Sequence, residues 1–116
     1  MACAGVRGAF EALGHVDFAQ VETRCQAWQD ILSKHNAVRQ VRRLGAFMAA
    51  DMDNAEQVSQ AVTAGLRPAQ QGGLGVLMFW FLSIPHAFRL APPLTATDEE
   101  MAAGLELIVQ ALDSVK

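Results

Sequence analysis

Apolar side chains recur three and four apart in two stretches of the chain, and each stretch predicts a helix buried along one face. In the first, Phe18, Val21, Cys25, Trp28 and Leu32 follow Asp17, and Gln20 stands three residues after that acid. Asp17 is therefore placed to cap the free N–H groups of a first turn. In the second, Met101, Leu105, Ile108, Leu112 and Val115 form one stripe behind Thr97 and Glu100. The Thr97 hydroxyl can take the Glu100 N–H while that carboxylate reaches back. Two further helices are predicted. Ala2 to Leu13 is helix-compatible up to Gly14, yet no Ser, Thr, Asp or Asn precedes it, so it reads as a helix cut into rather than begun. Asp53 and Glu56 repeat the capping-box spacing, and Val58 and Val62 carry a short helix through Ala64 to a stop at Gly65.

Between the helices the period changes. From Val38 to Met52 the apolar Val38, Val41, Leu44, Phe47 and Met48 mix with Arg39, Arg42 and Arg43, and Gly45 interrupts any helical stripe. One strand centred on Ala46 to Asp51 is predicted there. Arg67 to Gly73, with Pro68, Gly72 and Gly73, predicts a loop. Val76 to Leu82 is apolar and aromatic without alternation, the pattern of a strand buried on both faces or against a larger body. Pro85 ends it, and a short strand from Phe88 to Leu90 is closed by Pro92 and Pro93, which cannot donate to a ladder. The order is two helices and then β-α-β-β-α. That is an α+β fold, one domain over residues 1–116, with a small antiparallel sheet packed on helices.

Composition narrows the possible functions. A chain of 116 residues is long enough for one core but short for an enzyme that must also enclose a cofactor. With 52% hydrophobic and 18% charged residues, it is not a disordered chain, and it holds more apolar surface than a lone domain this size easily covers. A net charge of −3 offers no positive field to nucleic acid or to an anionic membrane. The longest apolar run, Leu74 to Ile84, is too short to span a bilayer. Cys3 and Cys25 sit on different predicted helices without C-x-x-C spacing, which fits reduced thiols in a cytoplasmic protein.

Most candidate chemistry dissolves on inspection. His15, His35 and His86 are scattered over turns and element ends, whereas a metal needs clustered ligands. Asp51, Asp53 and Asn54 lack the spacing of a calcium loop. No Lys-Ser/Thr follows Gly72, Gly73 and Gly75, as a phosphate loop requires. Arg39, Arg42 and Arg43 read as a solvated lead into a strand. Cys25 lies on an apolar stripe, no serine stands in a nucleophile elbow, and neither Lys34 nor Lys116 has the desolvated setting of a Schiff-base lysine. Arg89 remains. On a short strand, followed at once by Ala91-Pro92-Pro93, it is either a planar two-pronged donor to a carboxylate or a member of an ordinary surface ion pair.

The run Phe88-Arg89-Leu90-Ala91-Pro92-Pro93-Leu94-Thr95, followed by Thr97-Asp98-Glu99-Glu100 and an amphipathic helix, resembles the C-terminal signature of class III pyridoxal-phosphate aminotransferases. Ornithine, acetylornithine, lysine and 4-aminobutyrate aminotransferases are of this kind. Ala2-Cys3-Ala4, Val41 to Met48 and Phe79 to Leu82 resemble further segments of that family in the same order. The resemblance implies the C-terminal small domain of a parent enzyme that moves an amino group between an amino acid or ω-amino acid and a 2-oxo acid, with residues 1–14 as the helix entering it from the large domain. It implies that Arg89 binds the substrate carboxylate. It also implies that the cofactor lysine and the other groups that hold pyridoxal 5'-phosphate precede this chain, so that the chain alone binds no cofactor and is inactive. The large domain would then be its partner, and a homodimer the expected assembly. A reading from a different class is a free-standing interaction or regulatory module that binds a protein through Val76 to Leu82.

Overall fold

A computed structural model describes residues 2–116. Four helices and four strands follow in the order α1 (Ala2–Leu13), α2 (Phe18–Ser33), β1 (Gln40–Leu44), β2 (Phe47–Asp51), α3 (Ala55–Gln70), β3 (Phe79–Trp80), β4 (Ala87–Leu90) and α4 (Asp98–Asp113). The strands form one fully antiparallel sheet in the order β1-β2-β4-β3. The α+β class and the antiparallel sheet are as expected. Helices α2, α3 and α4 cover one face of the sheet. Val41, Met48, Ala50, Phe88 and Leu90 point into them, and meet Trp28, Leu32, Val58, Ile108 and Leu112 in a single core.

Both long stripes form the helices they predict. Asp17 accepts the N–H groups of Ala19 and Gln20 at 3.1 and 3.2 Å, and the α2 residues Val21, Cys25, Trp28 and Leu32 are buried. At α4 both halves of the capping box are present, Glu100 N–H to Thr97 Oγ1 and Thr97 N–H to Glu100 Oε1, each 3.2 Å. Helix α1 also forms where expected, but no residue of it is buried, and Val6, Phe10 and Leu13 are exposed along one side.

Four expectations are corrected. The single strand at Ala46 to Asp51 is half of a hairpin, because β1 pairs with β2 through Leu44↔Phe47 and leaves Gly45 and Ala46 as a two-residue turn. Gly45 adopts φ +60, a backbone state that β-hairpin turns use and side-chain-bearing residues resist. The cap of α3 is Asn54 rather than Asp53. Asn54 Oδ1 accepts the Gln57 N–H at 2.9 Å, while Asp53 turns to pair with Arg39. Nor does α3 stop at Gly65; it runs on to Gln70 with Pro68 inside its last turn, so most of the expected loop is helical. Gly65 serves close packing instead, since a Cβ there would lie 2.8 Å from the Val76 carbonyl oxygen. Finally, the expected strand from Val76 to Leu82 is reduced to Phe79–Trp80. Met78 is fully buried but Phe79, Trp80 and Leu82 are exposed, Leu82 by 93%.

The three arginines of the first hairpin are not simply solvated. Arg39 pairs with Asp53, Arg42 with Asp51 at 2.7 Å, and Arg43 reaches both oxygens of Glu22 at 2.7 and 3.0 Å. The Arg43 side chain is only 8% exposed, so its guanidinium ties β1 to α2. His35 is likewise a structural tie. Its Nδ1 accepts the Ala37 N–H, which leaves the ring proton on Nε2 to donate to Asp113, 2.7 Å away, at the end of α4.

These pairs have a pH signature. Hydrogen bonds from Arg43 and Arg39 hold the carboxyls of Glu22 and Asp53 below their ordinary values of 4.5 and 3.8. A carboxylate whose folded-state value is depressed stabilises the fold above its unfolded value, and that contribution is lost as pH falls through the folded one. The urea midpoint is therefore expected to be insensitive to these two groups above about pH 5 and to drop below about pH 4.5. Glu22→Gln with Asp53→Asn should flatten that acid limb; an unchanged slope would separate the pairs from acid stability.

Candidate functional site: an unpaired arginine at an apolar cleft

Strand β4 lies inside the sheet, and its register sets where each side chain goes. Phe88 and Leu90 point to the helices, so Arg89 between them points to the opposite face. There it stands across from Ala49 on β2 and Phe79 on β3. The guanidinium carbon lies 5.2 Å from the centre of the Phe79 ring and 5.8 Å from that of Phe81, within the range at which an aromatic face attracts a cation. No carboxylate among the described residues pairs with Arg89. The contrast with Arg42 is direct, since Arg42 and Arg89 flank Ala49 in one cross-strand row. Arg42 is neutralised by Asp51 and Arg89 is not.

Arg89 also borders a cleft of about 310 Å³ between the β3–β4 end of the sheet and helices α2 and α4. Trp28, Leu77, Met101 and Ile108 supply apolar walls, Pro92 and Pro93 form one margin, and Glu100 is the only carboxylate on it. The size lies at the lower end of the range for small-ligand sites. The turn after the double proline is pinned from beneath. Arg24 on α2 donates from Nη1 to the Ala96 carbonyl at 2.8 Å and from Nε to Asp98 at 2.6 Å, which fixes the start of α4 and with it the position of Glu100.

Of the residues weighed in the sequence, Arg89 alone borders this cleft, and its guanidinium lies over Phe79 and Phe81 on the sheet face away from α2 and α4. Lys34 and Lys116 border two other grooves. Cys25 is buried in the core, where desolvation pushes its thiol up from the ordinary value and keeps it protonated. The residues that sequence reasoning missed are Phe79 and Phe81 as the seat of Arg89, and Trp28 as a cleft wall. Phe79 becomes Arg89's neighbour only through the β3–β4 register, which no spacing along the chain records.

Fold and site together define a small α+β domain whose Arg89 guanidinium lies over two aromatic rings on the sheet face away from the helices, with no carboxylate partner among the described residues. Comparison with known proteins supplies the family. The profile of the class-III aminotransferases matches residues 2–112, and the chain belongs to that family. Among solved structures, an aminotransferase from Bacillus anthracis superposes with a TM-score of 0.64 at 16% identity, over 82% of this chain and 24% of that one. The N-acetylornithine aminotransferase of Stenotrophomonas maltophilia K279a gives 0.59 at 26% identity, over 82% and 26%. The ornithine aminotransferase of Toxoplasma gondii, crystallised with partial occupancy of PLP at its active site, gives 0.59 at 20%, over 81% and 22%. The chain thus spans about a quarter of the length of these structures. Comparison with curated protein sequences finds no match.

Proposed function

We propose that these residues act as the C-terminal small domain of a pyridoxal-phosphate-dependent aminotransferase, and that Arg89 binds the substrate carboxylate there. The observation that carries this reading is the state of Arg89. Its charge is held by two rings and neutralised by no acid among the described residues, so its fork is free for a bidentate carboxylate. An orienting contact of that kind places a reacting bond against a cofactor held elsewhere.

Family membership implies pyridoxal phosphate in the parent enzyme. The cleft of this chain does not fit it: the cofactor's aldehyde needs a lysine amine, and neither lysine borders the cleft. The cofactor site is accordingly assigned to the large domain, with α1 as the helix that joins the two. Leu44, Phe47 and Leu82 on the sheet side, and Val6, Phe10 and Leu13 on α1, are exposed apolar residues that a larger body would cover. The same exposure would serve a free-standing interaction module that binds a protein through residues 76–82.

The test is Arg89→Lys in the full-length enzyme. An ammonium keeps the charge and loses the fork, so KM for the carboxylate substrate should rise about tenfold, the scale of one charge-assisted hydrogen bond, with kcat changed much less. Wild-type kinetics would remove Arg89 from the substrate site.

A further inference from the structure

The four strands hold a single acid, Asp51, and two arginines stand within its reach on the sheet face away from the helices. Asp51 lies across from Gln40 on β1 and from Ala87 on β4, and Arg42 and Arg89 each follow those partners by two residues. Both arginines therefore approach Asp51 along the same kind of diagonal, about 7–8 Å between Cα atoms, a span that long side chains cross. Arg42 does cross it, with Nη2 donating to Asp51 Oδ1 at 2.7 Å. Arg89 turns the other way, onto Phe79 and Phe81. The Asp51 side chain is only 18% exposed, and among the described residues Arg42 is its one side-chain partner.

Resting on the reading of Arg89 as the carboxylate clamp, we propose that Arg42 is a positioning residue: by holding Asp51 it keeps the chain's own carboxylate off Arg89 and leaves that guanidinium open to a substrate's. What each cation has besides the acid decides the competition. Arg89 has two aromatic rings to rest on, whereas Arg42 has no other partner among the described residues. Asp51 on Arg42 thus satisfies all three groups, while Asp51 on Arg89 would strand Arg42 and draw the guanidinium from its rings. Removing the Arg42 charge inverts the balance. A largely buried carboxylate without a partner is costly, and the remaining cation along its diagonals is Arg89. A substrate carboxylate would then have to displace one that the sheet itself holds beside the clamp.

The experiment is NMR of the Arg89 side chain in the 116-residue chain, alongside steady-state kinetics of the full-length enzyme, for wild type, Arg42→Met, Asp51→Asn and the double variant. Methionine keeps an aliphatic stem and removes the charge. Arg42→Met should move the Arg89 Nε–H proton downfield as a charged hydrogen bond forms, and should raise KM for the carboxylate substrate about tenfold with kcat changed much less. Asp51→Asn alone should leave both readouts near wild type. Added to Arg42→Met, it should bring both back, a reversal that the loss of a merely structural ion pair does not give. Should Arg42→Met fail to fold, Arg42→Gln keeps a neutral donor to Asp51 and should move the Arg89 resonance in the same direction by less. An unmoved Arg89 resonance in the folded variant at position 42, or a shift that persists once Asp51 is replaced as well, overturns the proposal. If the resonance follows the expected pattern while KM is the same in all four forms, Arg89 leaves the substrate site and the hold of Arg42 on Asp51 stands.

Discussion

Truncating Phe88 to alanine is expected to destabilise the domain by about 3–5 kcal/mol, the range for removing a fully buried aromatic side chain. Phe88 is 0% exposed and sits on an interior strand. It is paired with Ala50 on one side and Trp80 on the other. Neither neighbour relieves the loss: the alanine is too small, and the Trp80 ring is more than half exposed, outside the core. The cavity therefore stays open. Because Phe88 immediately precedes Arg89, the same change loosens the strand that aims the guanidinium. Urea unfolding should show a lower midpoint at an unchanged slope. A loss below about 1 kcal/mol would mean that the core collapses around the gap.

Gly65→Ala is expected to destabilise by about 2–3 kcal/mol, at the upper end of the cost of overpacking. In an unobstructed helix the same substitution would add about 1 kcal/mol of stability, so the sign is diagnostic. The new methyl would stand 2.8 Å from the Val76 carbonyl oxygen and 3.0 Å from both Met78 Cε and Val76 Cγ1. The methionine end can move, but the carbonyl cannot. Val76 is stapled to this point of α3 by its own N–H, which donates to the Gly65 carbonyl at 2.8 Å. Relief therefore requires the whole segment leading into β3 to shift, and Phe79 with it. An increase in the urea midpoint would show that Val76 does not approach α3 so closely.

What was legible in the sequence is what local chemistry decides. Helices α2 and α4 could be read because their caps and their apolar stripes agree, and because both stripes face a single core. Gly45 does interrupt any helical stripe, but the arginines at positions 42 and 43 hide the alternation of β1, and only pairing with β2 makes that glycine a hairpin corner. Gly65 looked like a helix stop because a glycine that ends a helix and one that admits a passing backbone are identical in sequence; the passing carbonyl comes from eleven residues downstream. Val76 to Leu82 reads as a strand buried on both faces or against a larger body, because apolar content alone does not distinguish a covered strand from one that presents its rings outward, as Phe79 and Trp80 do. The site divides in the same way. Arg89 stood out as an arginine next to a double proline, whereas its aromatic seat and the cleft wall at Trp28 are products of tertiary structure.

The rings beneath Arg89 bear on when its conformational entropy is lost. A free arginine side chain carries about 2 kcal/mol of rotamer entropy, and an anion that captures a waving guanidinium must remove much of it at the moment of binding. Here Phe79 and Phe81 already confine the guanidinium, at 5.2 and 5.8 Å from their centres. Folding takes up that ordering cost, so on the proposed role of Arg89 an arriving carboxylate would meet a donor that is held in place before contact. Replacing either ring would thus weaken anion binding without removing a single hydrogen bond to the anion, through a more mobile unbound state.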